Sequence, residues 1–252
     1  MRYILFSAFG FDVFSAPVFA GLAGLAAFVC FRGLRRYAGL SFEDFWNLVL
    51  LLVLGVTGGA LLSYVVLYNG GPAHNLPVLI RGKIPGGSFW GSLWSAAVLG
   101  YLYCRIKKIE FRPVADAIGL SSILALSVMR VGCFLHGCCH GLPTDLPWGV
   151  IYSDPRCAVA RSLLGRTLHP TQLYESLGSL VVFCASYLVW KNRRLKPGGA
   201  FMLSAAGYSI LRFAVDLVRA GDKGVFAVYP FTTAQLIALV SAIGSVLWYR
   251  RP

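Results

Sequence analysis

Residues 46–68 read WNLVLLLVLGVTGGALLSYVVLY, 23 residues without a single Asp, Glu, Lys or Arg. A helix needs about 20 such residues to cross the hydrocarbon core of a bilayer, and it satisfies its own backbone there. Six further apolar runs have comparable length: Val13 to Phe31, Ser88 to Cys104, Val114 to Leu135, Leu173 to Trp190, Gly199 to Val218 and Thr232 to Trp248. Of the 252 residues, 57% are hydrophobic and 13% charged, which is too apolar for an ordinary soluble domain. Arg2 followed by apolar residues imitates a secretory leader. However, Asp12 interrupts that run and another apolar run follows in place of a polar mature domain, so a first membrane helix is expected. The chain reads as an all-α integral membrane protein of about seven transmembrane helices, forming one polytopic domain over residues 1–252.

A net charge of +13 invites a nucleic-acid partner. The basic residues instead form short clusters between apolar runs: Arg32, Arg35 and Arg36; Arg105, Lys107, Lys108 and Arg112; Lys191, Arg193, Arg194 and Lys196; Arg250 and Arg251. Such clusters on alternate loops are topology signals, so no nucleic acid is expected, the N-terminus falls outside and the C-terminus in the cytoplasm. The outer segments are then 69–87, about 136–170, and 219–231. The second of these, rich in Pro, Gly and Arg and carrying Trp148 and Tyr152, is long for a loop. It is expected to form a small extracytoplasmic cap or interfacial helices.

Polar and ionisable groups beside spanning segments are costly and point to function. They concentrate between Met129 and Glu175. Arg130 stands near the outer end of the fourth run, where it could snorkel to the headgroups, and Gly132 beside it permits close backbone approach. The sixth run carries Tyr208, Arg212, Asp216 and Arg219 at i, i+4, i+8 and i+11, a spacing that places them on one helix face. Asp216 is expected to pair with Arg212 or Arg219. Arginines from two helices at similar depth suit a lipid phosphate, which guanidinium binds bidentately.

Of seven cysteines, Cys30, Cys104 and Cys184 lie inside apolar runs as packing residues. Three readings stand for the others. Cys133, Cys138, Cys139 and His140 supply zinc-type ligands, although their spacing matches no standard zinc pattern. A disulfide from Cys133 or Cys138 to Cys157 would staple the cap. Cys138 or Cys139, beside His136 or His140, would serve as a thiolate nucleophile. No glycine-rich nucleotide loop follows a strand, so no soluble cofactor is expected.

The septet His169-Pro170-Thr171-Gln172-Leu173-Tyr174-Glu175 resembles the HPSQLYE-type motif of the prolipoprotein diacylglyceryl transferase family nearly residue for residue. Weaker similarities lie at Gly58-Gly59 with Tyr64 and Tyr68-Asn69, at Ser88-Phe89-Trp90-Gly91, at Arg130 to Phe134, at Gly207-Tyr208 with Arg212, Asp216 and Arg219, and at Thr233-Ala234-Gln235. The resemblance implies a bacterial-type plasma-membrane enzyme. Its donor would be the phospholipid phosphatidylglycerol, and its acceptor the lipobox cysteine in the signal peptide of a lipoprotein precursor. A thiolate would attack the glycerol carbon and glycerol phosphate would leave. Arg130 and Arg212 would hold phosphate, while Tyr208 and His169 would orient groups or relay a proton, His169 alternatively acting as a structural anchor. Gly132, Cys133, Gln172, Tyr174 and Glu175 would line or brace the lipid site, Asp216 and Arg219 would hold the late helix, and Cys138 would be a candidate catalytic thiol.

The chain also departs from the family's pattern. Trp90-Gly91-Ser92 stands where a His and two Gly are usual, Cys133 replaces an Asn, Cys138 an acidic residue, Ala60 an Arg, and Pro17 lies near the place of a Tyr. The rival readings are a transferase with another acceptor, a thiol- or metal-handling membrane protein, and a lipid-binding protein without turnover.

Overall fold

Each of the seven apolar runs forms a helix in the computed structural model, which describes residues 4–8, 11–67, 72–81, 89–192, 195–220 and 231–250. Tyr68, Asn69, Ser88, Arg193, Arg194 and Arg251, and the side chains of Phe89, Trp90 and Thr233, lie outside the described residues. The order is β1 (Ile4–Ala8), β2 (Phe11–Phe14), α1 (Ser15–Leu34), α2 (Phe42–Leu67), α3 (Pro72–Ile80), α4 (Phe89–Ile106), α5 (Phe111–His136), β3 (Val150–Ile151), β4 (Thr167–Leu168), α6 (Thr171–Lys191), α7 (Gly199–Asp216) and α8 (Thr233–Arg250). Among the described residues four helices, α1, α2, α5 and α6, are long and apolar enough to cross a membrane, and α8 is a shorter apolar helix. The chain is therefore a helical membrane protein.

The first run begins later than its hydropathy suggests. Strands β1 and β2 pair antiparallel, with Phe6 opposite Val13, so α1 starts at Ser15. Pro17 then falls in the first turn of α1, where a missing N–H costs nothing.

The chain divides into two compact units, Arg35–Val114 and the combination of Met1–Leu34 with Ala115–Pro252. In the first, α2 and α4 meet closely: a Cβ on Gly91 would run into the Gly59 carbonyl and Ser63. Tyr103 donates a 2.7 Å hydrogen bond from α4 to Asp44 of α2.

The second unit holds the candidate site. Small residues again set the helix spacing, as is usual inside membranes. Gly132 of α5 leaves room for Phe19 of α1, and Gly178 of α6 for Leu211 of α7. Ser176 donates to the Ser127 carbonyl at 2.6 Å, joining α6 to α5. The start of α7 is fixed by Asp116 of α5, a buried carboxylate that accepts hydrogen bonds of 2.8 Å from both Gly198 N and Phe201 N. It thus satisfies two of the orphan donors at a helix start and opposes the positive end of the dipole. At the entry to α8, Thr232 and Gln235 form a reciprocal capping box, each side chain bonding the other's backbone N–H.

The segment between α5 and α6 folds as a small cap without an α-helix. β3 and β4 pair antiparallel, Val150 opposite Leu168, and a single 3-10 turn spans Arg161–Leu163. Pro143, Pro147 and Pro155, with Gly141, Gly149 and Gly165, punctuate the segment too often for the expected interfacial helices. The cap core is Tyr152, Cys157, Val159 and Leu168.

Asp116→Ala is expected to lower stability by about 2 kcal/mol, since it strips the start of α7 of its charged acceptor. Thermal unfolding in detergent micelles measures this; wild-type stability would mean that water replaces the carboxylate at no cost.

Candidate active site

Three helices of the second unit bring one polar side chain each to a common point. Glu175, one turn into α6 and 1% exposed, accepts at Oε1 a 2.7 Å hydrogen bond from Arg130 Nη2 of α5 and a 2.6 Å bond from the Tyr208 hydroxyl of α7. The Arg130–Glu175 ion pair is almost fully enclosed. Two atoms at this level are buried without a hydrogen-bond partner among the described residues, Arg130 Nε and Gln172 Oε1. The orientation of the Gln172 amide follows from its neighbours: Nε2 faces the Cys138 carbonyl at 2.7 Å, which can only accept. One unused donor and one unused acceptor are the pattern of a site that completes its bonding with a ligand.

Arg212 lies one turn beyond Tyr208 on α7, with Nη1 2.7 Å from Asp216 Oδ1. That contact is ionic and not aligned as a hydrogen bond. The second Asp216 oxygen accepts from Thr232 Oγ1, so one carboxylate holds Arg212 and the entry to α8 together.

Beyond the end of α5 the chain makes a tight turn. Gln172 Nε2 grips the Cys138 carbonyl, and Thr171 Oγ1 donates to the Cys139 carbonyl at 2.7 Å. Cys139 sits at φ +62°, a left-handed conformation that side chains other than Gly, Asn and Asp seldom adopt. Cys133 and Cys138 meet at this turn, the Cys138 thiol 3.9 Å from the Cys133 carbonyl oxygen. Hydrogen bonds from Cys133 and Cys138, then the charges of Arg219 and Arg130, hold the Cys139 thiol well below the ordinary range. Cys138, donating to its neighbours' sulfurs, is pushed up.

A sequence profile of the prolipoprotein diacylglyceryl transferase family matches residues 4–250. The chain belongs to this family. A relative from Clostridium tetani is 29% identical over 244 residues, covering 96% of this chain and 94% of its own length. Relatives from Bordetella avium and Methylococcus capsulatus are 34% and 35% identical, covering 81% and 77% of this chain and 77% and 72% of their own lengths. All three are named phosphatidylglycerol-prolipoprotein diacylglyceryl transferases.

The diacylglyceryl transferase motif at 169–175 thus serves two places at once. Its C-terminal Glu175 closes the buried triad with Arg130 and Tyr208, and its middle residues, Thr171 and Gln172, hold the thiol turn. Its N-terminal His169 lies in the cap seam: Nδ1 is 3.4 Å from the Tyr174 hydroxyl, which also accepts 2.7 Å from Trp148 Nε1. The backbone of His169 pairs with Gly141 and Leu142. These are the contacts of an anchor.

Several expectations need correction. Arg219 does not share the α7 face, because the helix ends at Asp216 as Leu217 and Val218 turn back onto Ala214 and Val215. The chain then pairs with the thiol turn, Arg219 opposite Gly141, which brings Arg219 beside Cys139 by another route. No disulfide joins Cys157 to Cys133 or Cys138: all seven thiols are free, and Cys157 packs as a small apolar residue in the cap core. Among the described residues no group of three His, Cys, Asp or Glu side chains is arranged to hold a metal ion, which leaves Cys133, Cys138, Cys139 and His140 without a metal geometry.

The sequence alone missed the central place of Glu175 and the paired role of Thr171 and Gln172. The former was signalled by an acid at the end of the motif opposite an intramembrane Arg.

Glu175→Ala is expected to cost about 3 to 5 kcal/mol, because it leaves the buried Arg130 charge without a partner. Combining it with Arg130→Met should recover much of that loss. A double-mutant cycle of unfolding free energies reads the coupling, and simple additivity would show that the pair does not interact.

Proposed function

We propose that this chain transfers the diacylglyceryl group of phosphatidylglycerol to the thiol of a lipobox cysteine in a lipoprotein precursor. One observation carries the reading. Arg130 is locked in place by Glu175, beside the Tyr208 hydroxyl, with its buried Nε unused. A fixed, desolvated guanidinium with a spare donor is a receptor for a phosphate oxygen, and its strength grows with the charge that appears on that oxygen as the bond to carbon breaks.

In this mechanism the acceptor sulfur attacks the glycerol carbon that bears the phosphate ester. The C–O bond breaks, and glycerol phosphate leaves with the electron pair. Arg130 and Arg212 stabilise the departing phosphate. The acceptor thiol must lose its proton before or during attack, and Tyr208, hydrogen-bonded to Glu175, is the positioned relay. His169, Tyr174 and Trp148 keep the cap closed over the motif. Asp216 orients Arg212, and Arg219 ties the end of α7 to the thiol turn. No step requires a soluble cofactor, and neither a nucleic acid nor a partner other than donor, acceptor and membrane enters the scheme.

Seven spans, an outside N-terminus, a cytoplasmic C-terminus, a single membrane domain and a bacterial-type plasma membrane belong to the same proposal. The alternation of basic clusters and the coincidence of seven helices with seven apolar runs support it. A covalent route through Cys138 is disfavoured by chemistry: the product would be a thioether on the enzyme, and expelling that thiolate from an unactivated carbon is harder than the original displacement.

The test is transfer in liposomes containing phosphatidylglycerol, with a lipobox peptide as acceptor and its mass gain as readout. Arg212→Ala should lower turnover about 100-fold and Arg212→Lys less, as expected for loss of transition-state charge stabilisation, whereas Cys138→Ala should retain most activity. Wild-type protein that binds the lipid but leaves the peptide unmodified would overturn the reading.

A further inference from the structure

The strands of the cap build a surface that the transfer scheme leaves unused. β3 and β4 pair with Ile151 opposite Thr167 and Val150 opposite Leu168. On the far side of β4 the chain at 142–144 adds a short third rung. Pro143 stands opposite Leu168, the Thr144 N–H donates to the Thr167 carbonyl and the His169 N–H to the Leu142 carbonyl, both at 3.0 Å. Side chains alternate between the two faces of a sheet, and residues directly opposite each other share a face. Val150, Leu168 and Tyr152 therefore lie on one face, which is the cap core, where Cys157 and Val159 cover them. Leu142, Thr144, Ile151, Thr167 and His169 lie on the other. Gly149 agrees with this register, since a Cβ there would strike the methyl groups of both Thr144 and Thr167.

This second face carries no Asp, Glu, Lys or Arg, and on it Leu142 is 45% and Ile151 53% exposed. Trp148, 57% exposed, joins its edge: the indole N–H donates 2.7 Å to the Tyr174 hydroxyl, which also meets His169 Nδ1 at 3.4 Å. Tyr174 in turn heads a stripe of α6, with Leu177, Val181, Cys184 and Leu188 at i+3, i+7, i+10 and i+14, and all four are exposed. The opposite face of α6, with Gln172, Glu175, Ser176 and Ser179, is buried. Since α6 is long and apolar enough to cross a membrane, the exposed stripe is the one that meets lipid. The uncharged face of the cap is thus tied to the first residue of a lipid-facing stripe. The segment that carries Asp154, Arg156 and Arg161 covers the core face instead.

We infer that this face of the cap is a lipid-docking surface, seated in the leaflet on the cap's side with Trp148 at the base of the headgroups and Leu142 and Ile151 against the upper acyl chains. The inference rests on the chain's being a membrane protein and not on the transfer reaction. Trp and Tyr favour this zone because an apolar ring and a single polar atom suit a boundary between hydrocarbon and water. Here the indole N–H is satisfied by Tyr174, so the ring enters the leaflet without an unpaired donor. Bilayer lipid is the occupant that continuity favours, because Tyr174 joins this face to the α6 stripe with no charged residue at the junction.

The experiment uses the full-length protein in nanodiscs of phosphatidylglycerol and phosphatidylcholine, with the photoreactive residue p-benzoylphenylalanine in place of Ile151 or of Leu142. Arg156, exposed on the segment that covers the core face, is the reference position for the same replacement. After irradiation, phospholipid adducts measured by mass should be roughly 5-fold more abundant at 151 and 142 than at 156. Trp148→Phe supplies a second reading: the difference between its emission and that of the wild type isolates the Trp148 signal. Phosphatidylcholine brominated high on its acyl chains should quench that signal about 2-fold. Neither readout involves the lipobox peptide, so a chain without transferase turnover still tests the surface. Lipid adducts no more abundant at 151 and 142 than at 156, adducts to a second copy of the chain in place of lipid, or a Trp148 signal untouched by brominated lipid would overturn the assignment.

Discussion

The structure depends on the cost of keeping a positive charge inside an apolar helix bundle. Arg130 lies near the end of α5, where a lone guanidinium would be expensive. Glu175 answers it from α6, and the same carboxylate oxygen holds Tyr208 on α7. Burying such a pair adds little net stability, since desolvation of both ions offsets most of their attraction. Its value is geometric: three helices are brought to one register around a cation whose remaining donor stays available.

Helix α7 is held by carboxylates at both ends. Asp116 caps its start from α5, and Asp216, its own last residue, binds Arg212 and Thr232. Between those points lie Tyr208 and Arg212, one turn apart. A helix pinned this way presents two functional groups at fixed depth, while Gly178 and Gly207 let α6 approach closely enough for Glu175 to reach. Packing and site geometry are one arrangement here.

Much of this was legible in the sequence. Hydropathy located seven of the eight α-helices among the described residues, four of them long and apolar enough to cross a membrane, because a helix that meets lipid must be apolar along its length. The Arg212–Asp216 pair followed from a spacing of four, and the motif at 169–175 marked the junction of cap and bundle. What escaped has physical causes. The paired strands β1 and β2 are as apolar as a helix start, so composition cannot separate the two. Arg219 fits the helical repeat of α7, yet hydrogen bonds to the cap turn end the helix at Asp216. Cys157 was within plausible reach of the other thiols by sequence, but the cap core around Tyr152 claims it. The partnership of Glu175 with Arg130, 45 residues apart, is a tertiary fact: the sequence shows an acid and an intramembrane Arg, and only the fold brings them together.

Thr171 and Gln172 hold the turn after α5 by its carbonyl oxygens, not by its side chains. The path of the chain there is consequently set without the side chain at 138, whereas the left-handed backbone at Cys139 restricts what position 139 can carry. The resemblance places an acidic residue where this chain has Cys138, and a backbone-held turn allows such an exchange without rebuilding the loop. The turn acts as a socket whose side-chain chemistry can change while the backbone contacts that hold it stay the same.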